Sequence, residues 1–100
     1  MMIVHATVSR KTPRDGRLEI PAELANRLSV ASTPITLEVG GYEDVVTLDA
    51  MACTCQKALN SGQHTHHFLA SPILKMLGAE SNVRLEVDVD LGHIRIEQDL

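Results

Sequence analysis

Apolar and polar residues alternate in short runs along this chain, and only brief stretches carry a helical period. Ile3 to Ser9 alternates loosely and is rich in β-branched residues, which predicts a strand. Thr12-Pro13-Arg14-Asp15-Gly16 predicts a turn, because Pro fixes φ and Asp-Gly supplies a tight reversal. Arg17 to Ile20 resumes as strand. Pro21 then opens a helix, where its missing N–H costs nothing, and Leu24, Arg27 and Leu28 follow at helical spacing. The helix is expected to end near Ser29, with a loop to Pro34. Ile35 to Val39 turns Ile, Leu and Val inward and Thr and Glu outward; Gly40-Gly41 reverses the chain, and Val45 to Leu48 returns.

The remainder follows the same plan. Ala50 to Gln56 and His64 to Ala70 read as two segments joined by a turn at Asn60-Ser61-Gly62-Gln63. Ser71 is placed as a helix N-cap with Pro72 in the first helical position, and Gly78 as the stop. Val83 to Val89 and His93 to Glu97 are strands around the turn Asp90-Leu91-Gly92. The Met residues, Met51 and Met76 included, are assigned to gaps in the core.

The halves match. Ile35-Thr36-Leu37-Glu38-Val39 corresponds to Val83-Arg84-Leu85-Glu86-Val87, and Val45-Val46-Thr47-Leu48 to His93-Ile94-Arg95-Ile96. Upstream, Pro21 to Leu28 corresponds to Ser71 to Leu77. A unit of this length that recurs is a supersecondary module unable to hide its apolar face alone. The expectation is a single domain, residues 1–100, mostly β. It would be a small pseudo-two-fold barrel of two β-hairpin/short helix/β-hairpin units, at about 3–48 and 51–97, of swapped-hairpin or double-psi-like form.

Composition sharpens this picture. The chain of 100 residues is 44% hydrophobic yet has no Trp, one Tyr (Tyr42) and one Phe (Phe68), so its core is aliphatic. It therefore lacks the aromatic platforms that single-stranded nucleic acid stacks on. The net charge is −4, unevenly spread. Arg10, Lys11, Arg14, Arg17 and Arg27 outnumber the acids of the first third, and the rest of the chain is acidic. A basic segment on an acidic body can meet phosphate locally but disfavours broad nonspecific binding to nucleic acid. No apolar stretch reaches membrane-spanning length, and the start is too short for a secretory leader. Cys53 and Cys55 are too close to bridge without strain, which points to a reducing cytoplasm.

Residues 15–28, Asp15-Gly16-Arg17-Leu18-Glu19-Ile20-Pro21-Ala22-Glu23-Leu24-Ala25-Asn26-Arg27-Leu28, resemble the AbrB-like swapped-hairpin family, which includes bacterial transition-state regulators and MazE-type antitoxins. Its signature is a Gly-Arg, an apolar residue, Ile-Pro, then a short helix ending in an apolar Leu. Gly16, Arg17, Ile20, Pro21, Leu24 and Leu28 fill those places. In the family two chains interlock hairpins, and basic residues near the first hairpin meet DNA. The resemblance therefore implies duplex DNA contacts at Arg10, Lys11, Arg14 and Arg17. Only Arg17 belongs to the Gly-Arg pair; the other three follow from proximity and charge. Two departures stand out. Thr33-Pro34 replaces the usual Gly-Asp after the helix, and the second half offers His66 or His67 where Gly-Arg would lie.

A second chemistry is concentrated in Cys53-Thr54-Cys55 and His64-Thr65-His66-His67. Alternate residues of a strand share a face, so Cys53 pairs with Cys55, and His64 with His66. With a turn centred between Ser61 and Gly62, Lys57 opposes His66 and Cys55 opposes Phe68, which puts all four candidate ligands on one face. Thiolate and imidazole are the donors that tetrahedral zinc prefers, so Cys53, Cys55, His64 and His66 are the expected zinc ligands, with His67 as the substitute for His66. Cys-x-Cys matches no standard finger spacing. His5 and His93 read as ordinary strand histidines, and Asp88 and Asp90 as solvent-facing. No phosphate loop is present, since Gly40-Gly41 lacks the accompanying Lys and Ser/Thr. A Cys–His dyad alone, in so small a domain, does not make an enzyme.

Two functional expectations follow. The first is a DNA-binding or regulatory module of AbrB-like type. The alternative is a zinc-stabilised protein-interaction module without DNA binding. Duplex DNA or a protein is thus the expected partner, no membrane is involved, and a homodimer through an uncovered strand edge stays open.

Overall fold

The computed structural model describes residues 1–31, 34–52 and 65–98. Within them the chain is mostly β. The strands are β1 (Met2–Thr7), β2 (Arg17–Ile20), β3 (Ile35–Val39), β4 (Tyr42–Ala52), β5 (Thr65–Ala70), β6 (Asn82–Asp88) and β7 (His93–Gln98). They are joined by α1 (Lys11–Asp15), α2 (Ala22–Ala31) and a 3-10 helix, η1 (Pro72–Met76). The seven strands form one sheet in the order β1-β6-β7-β3-β4-β5-β2, which curls into a nearly closed small barrel.

Period-two patterning explains the wall. In β3 and β6 every second side chain, Ile35, Leu37 and Val39 and then Val83, Leu85 and Val87, is buried, while Thr, Glu, Arg and Asp face out. The two hairpins β3–β4 and β6–β7 are joined by a parallel pairing of β3 with β7, Thr36 opposite His93 and Val39 opposite Ile96. β4 is long enough to serve two neighbours: Tyr42 to Val46 pairs with β3, and Thr47 to Ala52 pairs with β5. Leu24, Ala25 and Leu28 of α2 and Leu74 of η1 fill the interior. Burying each such Leu contributes about 1.5–3 kcal/mol before chain entropy is subtracted.

The front of the first half departs from the expected hairpin. Residues 12–15 belong to α1 rather than to a turn, and β1 and β2 do not pair with each other. β1 instead pairs antiparallel with β6, Val4 opposite Leu85, and β2 pairs antiparallel with β5, Leu18 opposite Leu69. The reason lies in Thr12 and Gly16. Thr12 is fully buried, and α1 packs on η1. Gly16 ends α1 at φ +70, and a Cβ there would sit 2.7 Å from the Ser71 carbonyl oxygen. Only glycine tolerates both the left-handed backbone and that approach.

Two smaller expectations also change. Met51 and Met76 are about half exposed rather than core fillers, because their strand and helix positions face outward. η1 ends through Leu77, whose N–H donates to the Leu74 carbonyl, and Gly78 does not supply a left-handed stop.

Candidate functional site

The four basic residues nominated for DNA lie on two elements. Arg10 precedes α1, Lys11 and Arg14 lie on it, and Arg17 begins β2. All four are exposed. Each arginine is held by an acid. Arg10 Nε donates to Glu80 Oε1 at 3.2 Å. Arg14 donates through Nε and Nη2 to the two oxygens of Asp15, both at 3.1 Å. Arg17 reaches across the outer face of β5 to β4, with Nη2 3.8 Å from Asp49 Oδ2 and Nη1 3.5 Å from Met51 Sδ. Lys11 faces solvent. The paired hydrogen bond to Arg14 is the main cause holding the Asp15 carboxyl below its ordinary range, helped by the charges of Arg14, Arg17 and Lys11. Its counterpart, the Arg14 guanidinium, is raised by the same contact. Exposed pairs of this kind neutralise charge more than they add stability.

Of the expected zinc ligands, Cys53, Cys55 and His64 lie outside the described residues. His66 is on β5, and its Nδ1 is 3.0 Å from Glu19 Oε2 on β2. The expected register around it is corrected: Met51 opposes His66 and Asp49 opposes Phe68, rather than Lys57 and Cys55. β5 is clamped between β4 and β2, and Leu69 must point inward opposite both Leu18 and Leu48, which fixes that register. His67, opposite Ile20 and Ala50, alternates to the other side from His66 and Phe68.

A cleft of about 400 Å³ lies between β1 and β2, lined by His5, Ala6, Thr7, Ser9, Glu19 and Pro21 among others. It is the seam of the barrel, since β1 and β2 are the two ends of the sheet. Val8 turns its N–H to the Ser81 carbonyl and its carbonyl to the Glu80 N–H, each at 2.8 Å, on the β6 side. By alternation, the backbone groups of Ile3, His5 and Thr7 face the seam. On β2 the Gly16 carbonyl accepts from the Ser71 N–H at 2.9 Å, so Leu18 and Ile20 bond toward β5, and Arg17 and Glu19 present backbone to the seam. Among the described residues, neither edge has a strand partner there.

One cluster was not found from the sequence. Glu38 and Glu43 oppose each other on β3 and β4, and His93 Nε2 on β7 is 3.5 Å from Glu38 Oε2. One donor atom from each of these three residues lies within 4.8 Å of the others. The one available signal was that both glutamates flank the Gly40-Gly41 turn symmetrically; the parallel strand that delivers His93 left none.

Among the described residues, no helix is long and apolar enough to cross a membrane. No protein-family model, curated protein or solved structure matches this chain.

Proposed function

We propose that this chain is a non-catalytic regulatory module of AbrB-like descent, duplicated within one polypeptide, that works in the cytoplasm by engaging a protein partner. The observation that carries the reading is the open seam, where β1 and β2 turn toward a shared cleft edges that have no strand partner among the described residues. An extended partner segment can add to such an edge through main-chain hydrogen bonds, with pockets for alternate side chains giving selectivity. The charge layout agrees with it: the arginines of the basic segment are offset by Glu80, Asp15 and Asp49, on a chain of net charge −4.

The test is selection of linear peptides from a random library against the intact protein. Binders are expected to slow hydrogen exchange at the amides of Ile3, His5 and Thr7, and to lose affinity on His5→Pro, which blocks the seam-facing N–H. Binders that protect only other surfaces, or none after exhaustive selection, would overturn the reading.

Duplex DNA is the second reading, favoured by the exposure of Arg10 and Arg14, at 84% and 67% of their side-chain surface. Their weak ion pairs could exchange carboxylate for phosphate. It requires retention of duplex DNA in a low-salt gel shift, weakened by Arg14→Ala and Arg17→Ala and lost steeply with added salt. The protein reading expects no retention. Zinc at Cys53, Cys55, His64 and His66 would take Nε2 of His66, with the Nδ1 contact to Glu19 orienting the ring. Elemental analysis of purified protein, with the melting temperature measured before and after a chelator, tests that site.

A further inference from the structure

We propose that Glu38, Glu43 and His93 form a binding site for a divalent transition-metal ion of the zinc class on the outer wall of the barrel, built from none of the ligands expected at Cys53, Cys55, His64 and His66.

The backbone builds the site. β3 and β4 are joined by the tight turn at Gly40-Gly41, both at positive φ, which fixes Glu38 directly opposite Glu43. Like charges in that relation are unfavourable unless something lies between them. β7 runs parallel to β3 and begins at His93, opposite Thr36, just after Gly92, whose carbonyl accepts from the Thr36 N–H at 2.7 Å. That bond pins the start of β7 and holds the imidazole over the carboxylate pair. The side chains of Glu38 and His93 are 29% and 37% exposed, and Glu43 is exposed. The site is thus half desolvated on one side and open to water on the other.

Several other acidic groups of the surface are answered by arginines, and this pair is not. Arg10 answers Glu80, Arg14 answers Asp15, and Arg84 answers both Glu86 and Glu97. Arg95, the cross-strand neighbour of Glu38, sends its guanidinium to Glu97 at 3.3 Å. Among the described residues, no arginine or lysine forms an ion pair with Glu38 or Glu43. The two carboxylates therefore carry two negative charges that no arginine or lysine ion pair offsets among the described residues, matching a divalent cation. The 3.5 Å between His93 Nε2 and Glu38 Oε2 is close to the roughly 3.3 Å that separates donors in a tetrahedral shell with bonds of about 2.0–2.1 Å. Glu43, with a carboxylate oxygen within 4.8 Å of the other two donors, supplies the third ligand, and solvent or an exogenous donor takes the fourth position. An imidazole in the donor set favours zinc or nickel over calcium and magnesium, and the two carboxylates also suit manganese.

The experiment is calorimetric titration of chelator-stripped full-length protein with zinc chloride, with far-UV circular dichroism of each variant as the folding control. Glu38→Gln and His93→Gln are expected to weaken binding about tenfold or more, whereas the double variant Cys53→Ser/Cys55→Ser retains it. Manganese, which thiolates bind poorly, supplies an independent probe. In a proton–nitrogen NMR spectrum it should broaden the amides of residues 36–45 and 92–95 first. Zinc binding that survives His93→Gln and disappears with the cysteine variant would overturn the proposal. So would manganese broadening spread evenly over the acidic surface, or no zinc binding at all.

Discussion

Thr12 is fully buried, and its hydroxyl has no hydrogen-bond partner among the described residues. Burying an unpaired hydroxyl costs about 1–3 kcal/mol, so Thr12→Val, which keeps the shape, should stabilise the protein by roughly 1 kcal/mol in urea unfolding. Gly16 is the opposite case. Its φ of +70 and the 2.7 Å approach of its missing Cβ to the Ser71 carbonyl leave no room for a side chain. Gly16→Ala should cost about 2 kcal/mol or more, since the left-handed backbone alone costs roughly 1–2. The sequence singled out Gly16 as part of a family motif, but not the reason, because Ser71 is distant in the chain. Ser71 was legible as an N-cap, and its hydroxyl accepts from the Ile73 N–H at 3.3 Å. That it also donates to Asp44 at 2.7 Å was not legible. Asp15 gives the residue-scale pH prediction. Its carboxyl is depressed, so its small contribution is present at neutral pH and lost as pH falls through its folded pKa. An NMR titration should place its midpoint below 3.8, and Arg14→Ala should move it up.

At the scale of elements, strong alternation was readable and weak periodicity was not. β3, β6 and β7 lie within a residue or two of their expected bounds, because one face of each is buried and a slip of one residue would expose every apolar side chain. α1 was missed because Lys11-Thr12-Pro13-Arg14-Asp15 carries one buried side chain and no apolar stripe; its helix is set by packing on η1. The β4–β5 register was not legible because it is set by the pairing of β5 with two neighbours, which the local turn signal at Asn60-Ser61-Gly62-Gln63 does not encode. The element-scale test is Leu69→Ala on β5, fully buried between Leu18 and Leu48. It should cost about 2–5 kcal/mol. Ile3→Ala on the exposed face of β1 should stay within about 0.5 kcal/mol.

For the whole molecule, closure depends on pairings between distant parts of the chain: β1 with β6, β2 with β5, and β3 with β7. Loop-closure entropy must be met before these contacts form, so refolding should take milliseconds to seconds in stopped-flow experiments rather than microseconds. The same closure determines which candidate groups meet. Arg10 and Arg17 were each visible in the sequence, yet their acidic partners Glu80 and Asp49 come from the far half and from β4. His93 looked isolated and is instead carried beside Glu38 by a parallel pairing. By itself the sequence determined an aliphatic, mostly β domain, because side-chain period and turn chemistry are local properties of the chain. Strand order, the open seam and the charged partnerships that join distant segments, such as Arg10 with Glu80 and Arg17 with Asp49, were decided only in the tertiary structure, because they follow from which edges find each other once the apolar faces are buried.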